Sequence, residues 1–312
     1  MRLGIDIGGT KTDAVAIDER SEIVARLRLP TGFGAQAVVD TAVSAIEQLA
    51  ERTLTPMRAF SSIGIGIPGT VDTTTGVVSH AVNLGVEELD LAAALEARLA
   101  VDVRVENDVK AAALGAFQLM FPPREATLEQ HSMAYLNLGT GLAAGLVLNG
   151  ELWRGSRGTA GEIGHIPVDP LGVLCPCGQR GCLETVASGS AIARQWPSDE
   201  QIPVLSLLEA ARAGNARAQA IRLALVENVA AAVRILVLTV DVEVVVVGGG
   251  LSHLGQLLLD EVRSVLDAWA RDSPFLASLD LPGRVRFVPD DFPVAAVGAA
   301  LVGRSLAPVG EL

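Results

Sequence analysis

Three times in this chain a run of apolar, strand-forming residues stops on a glycine turn. Residues 3–7 lead into Gly8-Gly9-Thr10-Lys11, residues 133–138 into Gly139-Thr140-Gly141, and residues 244–247 into Gly248-Gly249-Gly250. Glycine has no Cβ, so backbone N–H groups at such turns approach an anion closely and can cradle phosphate oxygens. Thr10 adds a hydroxyl and Lys11 a positive charge, and Asp6, just ahead of the first turn, is placed to hold a metal ion through water. A lone Gly-Gly is more often an ordinary hairpin turn. Three of them, each closing an apolar strand, point instead to a nucleotide polyphosphate gripped by facing hairpins. Neither a Walker A loop nor a dinucleotide fingerprint is present.

The elements around these turns repeat. After the first turn come an apolar return strand at 14–17 and a third strand at 22–29. Val38, Ala42, Ala45, Ile46 and Leu49 set a helix over 35–52, and residues 63–67 alternate as a strand ending at Pro68-Gly69. A helix over 89–99, a strand over 101–105 and an alanine-rich helix over 109–117 follow. The second half opens in the same way, with a return strand at 142–148. It continues with a long apolar helix over 216–238, a strand over 244–247, a helix over 254–270, a strand over 284–288 and a final helix over 294–306. The pattern predicts an α/β chain of two similar lobes with a cleft between them, duplicated in elements and not in residues. The expected lobes are 1–110 with 294–312 returning, and 111–293; a length of 312 residues suits two such domains.

Charge and hydropathy exclude several classes. With 24 Lys+Arg against 36 Asp+Glu, the formal charge is −12, and nothing neutralises nucleic-acid phosphates in bulk. Half the residues are hydrophobic, which rules out a mainly disordered chain. The most apolar stretch, 229–247, is interrupted by Arg234, Asp241 and Glu243, so it reads as a buried helix followed by a buried strand and not as a membrane span. The opening Met1-Arg2-Leu3-Gly4-Ile5-Asp6 puts an acid where a secretory apolar core would run. The expectation is a cytoplasmic protein.

Two further clusters carry chemistry. Glu106-Asn107-Asp108 closes a short strand and opens a helix. One of the two cap-forming residues there is accounted for by N-capping, and the second is left for a ligand at the carboxyl end of a strand. A carboxylate at a helix N-terminus is held as the anion, ready to accept a hydroxyl proton in phosphoryl transfer. Asn107 offers hydrogen bonds of both senses to a polyol. Further on, His165, Cys175, Cys177 and Cys182 follow the pattern H-x9-C-x-C-x4-C and include every cysteine of the chain. One histidine and three cysteines make a closed structural zinc set, which shapes a loop and leaves no open coordination position. The acids Glu162 and Glu184 bracket this loop, where a pinned backbone would turn them toward sugar hydroxyls.

Taken together these residues resemble the ROK family of repressors, open reading frames and sugar kinases. The matching segments are LGIDIGGTKTDAVAID from Leu3, GIGIPGTVD from Gly64, VENDVKAAALGA from Val105, LGTGLAAGLVLNGELWRGSRGTAGEIGHIPVD from Leu138, CPCGQRGCLETVASGSAI from Cys175 and VVVVGGGLS from Val244. The resemblance implies an actin-like, ribonuclease H-like fold of two domains. It also implies Mg²⁺- and ATP-dependent phosphorylation of a hexose or N-acetylhexosamine, at the 6-hydroxyl, in a glucokinase-like enzyme. It assigns the catalytic base to Asp108 and sugar contacts to Pro68, Gly69, Asn83, Asn107, Glu162, His165 and Glu184. ATP contacts fall on Asp6, Gly8 to Lys11, Gly139 to Gly141 and Gly248 to Gly250, and zinc on His165, Cys175, Cys177 and Cys182. A homodimer or homotetramer is implied. Two positions depart from the family pattern: Val86 stands where Trp is frequent, and Ala143 where Gly is frequent. Repressors of the family carry a DNA-binding winged helix ahead of this body, whereas here the first hairpin begins by Leu3. The alternative to an enzyme is a regulatory sugar-binding protein without catalytic activity.

Overall fold

The first glycine turn joins β1 (Arg2–Ile7) to β2 (Lys11–Ile17) in an antiparallel hairpin whose last pair is Ile7 with Thr12. In the computed structural model, which describes residues 1–122, 131–198 and 203–302, this hairpin seeds a five-stranded sheet. Its order is β3-β2-β1-β4-β8, with β3 (Ile23–Pro30), β4 (Ser62–Ile67) and β8 (Val103–Asn107). The first three strands are antiparallel, while β1, β4 and β8 run parallel, which requires helical crossovers. The helix α1 (Ala35–Arg52) supplies the first of these and buries Val38, Val39, Ala42, Val43, Ala45, Ile46 and Leu49. Between β4 and β8 lies a meander, β5 (Thr70–Asp72), β6 (Val77–Ala81) and β7 (Val86–Asp90), followed by α2 (Leu91–Leu99). The helix expected from residue 89 begins later because Asp90 caps it, accepting from Ala93 N. The helix α3 (Asp108–Met120) then leaves β8.

The second sheet repeats the plan, with the order β11-β10-β9-β12-β13. Here β9 (Met133–Leu138), β10 (Leu142–Leu148) and β11 (Glu151–Trp153) are antiparallel. The strands β12 (Val244–Gly248) and β13 (Val285–Phe287) run parallel to β9. The expected duplication is therefore one of strand order and sense, the ribonuclease H-like arrangement of actin-like proteins. Its helices are α4 (Gly189–Gln195), α5 (Pro203–Arg212), α6 (Ala216–Val240), α7 (Gly255–Asp272) and α8 (Pro274–Ser278). By length and composition α6 could cross a membrane. Its Ile221, Leu225, Val229, Ala232, Val233 and Leu236 are instead buried in the core at helical spacing, and β12 follows, as the interrupted apolar stretch suggested.

The chain divides into two units, Met1–Leu128 with Pro293–Leu312, and Glu129–Phe292. The division expected after residue 110 cuts through α3, which the structure keeps whole in the first unit. The reason is α9 (Val294–Val302), which packs against α3, β1 and β4; residues 303–306, expected to continue this helix, lie outside the described residues. A Cβ on Gly298 would stand 1.7 Å from Ala111 O, one on Gly115 1.9 Å from Val294 O, and one on Gly4 2.0 Å from Ala296 O. At these points backbone meets backbone. Gly298→Ala is therefore expected to destabilise the protein by about 3 kcal/mol through forced separation of α9 from α3. Urea unfolding measures it, and a wild-type midpoint in the variant would count against this packing.

Candidate functional site

In the first unit the glycine turn is pinned by Gly8 N donating to Lys11 O at 2.9 Å. A Cβ on Gly9 would stand 3.3 Å from the Cβ of Asn83, so the turn lies directly on the Asn83 loop. That loop is a short helical turn, Val82–Leu84, ended by Gly85 at φ 65°. Phe33 closes over Gly85, where a Cβ would fall 2.5 Å from its ring, yet the residue is 76% exposed. Thr31 N donates to Thr10 O at 3.1 Å and Gly34 N to Leu84 O at 2.7 Å, tying these three loops together. Phe33 was not singled out from the sequence. Its signal was there, an aromatic flanked by Gly32 and Gly34 in a chain only 4% aromatic.

The strand β8 delivers Asn107 and Asp108 to the start of α3. Asn107 is the cap: its Oδ1 accepts from Val109 N at 3.1 Å and Lys110 N at 3.2 Å, and its Nδ2 donates to Gly69 O at 3.2 Å. The Pro68-Gly69 turn is thus tied to the helix start, with Gly69 at φ 102°. Asp108 follows in the first turn, its Oδ1 accepting from Val109 N at 2.9 Å. Between it and Asp6 lies Gly66, whose Cβ would stand 3.6 Å from Asp108 Cα and 3.8 Å from Asp6 Oδ1. The missing side chain leaves two carboxylates sharing one space. Loss of water pushes the Asp6 carboxyl up to about 8, with the like charges of Asp108 and Asp13 adding to the rise and Lys11 opposing it. Two charged neighbours escaped the sequence reading, Glu106 and Lys110, which are 1% and 6% exposed. Charges beside a cap read as solvated surface, and only the fold shows them buried.

The raised Asp6 value has a stability consequence. A carboxyl that holds its proton more tightly folded than unfolded costs stability progressively as pH rises from 3.8 toward about 8. Asp6→Asn is expected to melt higher than wild type near the top of that window, the gain shrinking toward its bottom. Melting curves of both proteins across pH measure it, and parallel curves would contradict it.

In the second unit Gly139 N donates to Gly141 O at 3.1 Å, and the start of α4 braces the tip. Gly189 N donates to Gly139 O at 2.8 Å, and Ser190 Oγ to Thr140 O at 2.8 Å. The Gly248 to Gly250 turn emerges beside this hairpin, because Gly248 pairs with Asn137 in the parallel ladder. Gly249 has φ 89°, and a Cβ there would stand 2.6 Å from Leu138 O. Two of the three expected phosphate turns are therefore neighbours.

The histidine and cysteines converge. The ligand atoms of His165, Cys175, Cys177 and Cys182 all lie within 4.8 Å of one another. Cys175 Sγ is 3.7 Å from His165 Nδ1, and Cys177 Sγ is 3.6 Å from Cys182 Sγ. A tetrahedron with metal–sulfur bonds of about 2.3 Å has edges of about 3.8 Å, so the four donors fit one ion. The backbone N–H of Gln179 pulls the Cys177 thiol down to about 6, while burial pushes Cys175 up to about 12. Cys175 N donates to Gln179 O at 2.7 Å, and Gly178 takes φ 91°, which closes a tight loop among the cysteines.

Glu184 bridges this cluster and the phosphate hairpin. Its Oε1 lies 3.5 Å from Cys175 Sγ and 3.8 Å from His165 Nδ1, and its Oε2 lies 3.5 Å from Leu142 N. A Cβ on Gly141 would stand 3.0 Å from that Oε2. The segment carrying Glu162 and His165 lies flat on β10, since a Cβ on Gly161 or Gly164 would stand 1.9 Å from Ala144 O or Leu142 O respectively. Glu162 is exposed. The first unit thus gathers Asp6, Gly8 to Lys11, Pro68, Gly69, Asn83, Asn107 and Asp108, and the second gathers the other predicted site residues.

A family model described as the ROK family matches residues 2–282. A glucokinase of Halalkalibacterium halodurans is 33% identical, the match covering 86% of this chain and 86% of that one. An N-acetylmannosamine kinase of Vibrio cholerae is also 33% identical, over 80% of this chain and 83% of its own. Among solved structures, a ROK family glucokinase from Streptomyces griseus in complex with glucose and AMPPNP is 30% identical with a TM-score of 0.76, covering 97% of this chain and 98% of that one.

Proposed function

The chain belongs to the ROK family, and from that premise we propose that it is an ATP-dependent sugar kinase, moving the γ-phosphoryl group to a hydroxyl of a hexose or N-acetylhexosamine. The 6-hydroxyl and a glucokinase-like substrate are the narrower reading. The observation that carries it is Asp108, a carboxylate on the first turn of α3 beside Asp6 and the strand that leads into the Gly8 turn. Glucokinase and N-acetylmannosamine kinase relatives over most of the chain support the same class.

In this reading Asp108 accepts the proton of the attacking hydroxyl, and the helix N-terminus keeps it an anion beforehand. Asn107 fixes the Pro68-Gly69 turn and keeps one amide hydrogen for the sugar. Asn83, Glu162, His165 and Glu184 orient the remaining hydroxyls. Backbone amides at Gly8 to Lys11, Gly139 to Gly141 and Gly248 to Gly250 hold the nucleotide phosphates, with Thr10 and Lys11 adding a hydroxyl and a charge. The crowding of Asp6 and Asp108 suits a divalent cation. Asp6, beside Asp108, would hold Mg²⁺ brought with the nucleotide, which would offset phosphate charge and favour the ionised form of Asp6. The donor set of three cysteines and one histidine suits zinc, which would fix the loop and take no part in the chemistry. A cytoplasmic homodimer or homotetramer accompanies this reading.

A coupled ADP-release assay with ATP tests it, run over glucose, mannose, N-acetylglucosamine and N-acetylmannosamine, with sugar-phosphate formation measured where polyphosphate is the donor. ADP release dependent on one of these sugars is the expected result. Sugar binding with no turnover on any donor would leave the non-catalytic regulatory protein in its place.

A further inference from the structure

The sheet of the first unit has a second ligand-sized feature at its other end. Parallel strands present ligands at their carboxyl ends, where Asp108 lies. At the amino ends of β4 and β8 a cavity of about 420 Å³ opens, within the span of about 300–1,000 Å³ usual for small-molecule sites. It is formed where the connection after α1 enters β4 and the turn after α2 enters β8, the latter made by Ala100 at φ 53°.

Its lining includes Arg58, Arg104, Ser61, Ser62 and Asp102, with Phe60 and Val101 among the apolar walls. Arg28, Arg98, Arg222 and Arg284 are held by carboxylates elsewhere in this chain. Arg58 and Arg104 have no such partner among the described residues, although the chain carries a formal charge of −12. The hydroxyl oxygen of Ser62 is shielded from solvent and makes no hydrogen bond. Two uncommitted guanidinium groups match the oxygens of a phosphate, which they bind through paired N–H donors. Asp102 rejects a second anion but accepts from hydroxyls, and Phe60 and Val101 offer an apolar face to a carbon ring.

We propose that this cavity is a binding site for a small phosphate monoester bearing hydroxyl groups, separate from the groups gathered around Asp108. The phosphate is held by Arg58 and Arg104, and Asp102 accepts from the hydroxyls. The site does not depend on the kinase reading. If that reading holds, the reaction product belongs to the same chemical class. A ligand here would then bear on catalysis through β4 and β8, which carry Gly66 and Asn107 toward the other end of the sheet.

Calorimetric titration of the full chain with glucose 6-phosphate, AMP and inorganic phosphate tests it, each against the Arg58→Ala/Arg104→Ala double variant. Both arginines are exposed, so the variant is expected to fold and to keep wild-type turnover. The expected result is saturable binding of glucose 6-phosphate that weakens about tenfold or more in the variant. Binding of AMP in preference would assign the site to a nucleotide, the same monoester chemistry from another source. Equal binding of every probe to wild type and variant would overturn the proposal. So would a wild-type site that takes inorganic phosphate as tightly as either ester, which would make it a site for an adventitious ion only. Asp102→Ala supplies a second check, since it should weaken the sugar ester relative to inorganic phosphate, which loses only a nearby like charge and should bind no more weakly.

Discussion

Asp108→Asn is expected to lower kcat by about a thousandfold while sugar affinity stays near the wild-type value. The substitution keeps the shape of the side chain and an oxygen able to accept from Val109 N, the 2.9 Å bond that holds Asp108 on the first turn of α3. The cap itself belongs to Asn107 and is untouched, so α3 should begin where it does now. What disappears is a group that takes a proton. The variant also removes the like charge that helps raise Asp6, so the Asp6 carboxyl should titrate lower. Misfolding is read separately from the melting curve, because an opened site would also lower Asp6 by hydrating it. Steady-state kinetics, sugar binding by calorimetry and an NMR titration of Asp6 are the measurements. Turnover close to wild type with sugar still bound would remove Asp108 from its assigned role.

Stripping the proposed zinc from the cysteine cluster should have the next largest effect. The loop from Ile166 to Cys182 holds little apolar surface of its own: Leu171, Val173 and Leu174 are all exposed. Its internal order comes from turns and from the bridges Pro167 with Cys182 and Leu174 with Arg180. An ion bound by four donors brings about 10–16 kcal/mol in small metal-folded units, far more than these turns supply. Removing zinc with a chelator, or replacing Cys177 by Ser, should therefore let the loop lose its shape. Glu184 should carry the damage to the hairpin at Gly141 and Leu142. The expected result is about a hundredfold loss in kcat/KM, with KM rising for both sugar and nucleotide. Metal analysis of the protein as purified, followed by kinetics before and after chelation and zinc return, measures it. Unchanged kinetics in metal-free protein would show that the loop needs no ion.

What could be read from residues alone follows from the range of the forces involved. The strands β1, β4, β9 and β12 were legible because their apolar runs end on glycine turns, and burial and turn chemistry act locally. The meander of β5, β6 and β7 was not, since three strands of three to five residues with a polar face carry little alternation. The start of α2 was misplaced by two residues because Leu89 belongs to the apolar pattern while the cap is Asp90. Among site residues, the cysteine spacing announced its cluster, and the Asn-Asp pair announced the helix start. Which of that pair caps was settled only by geometry. Phe33 over Gly85, Gly66 between two carboxylates and Glu184 between loop and hairpin depend on contacts between distant segments. No local pattern encodes them.

The return of α9 to the first unit sets an order of events during synthesis. The faces of β1 and β4 that α9 covers stay open to water until Val294–Val302 has been made, by which point the second unit, Glu129–Phe292, already has all its strands. At about 5–20 residues per second, that interval lasts many seconds. A nascent chain halted before Val294 should thus carry a finished second unit beside a first one still accessible to proteases and chaperones.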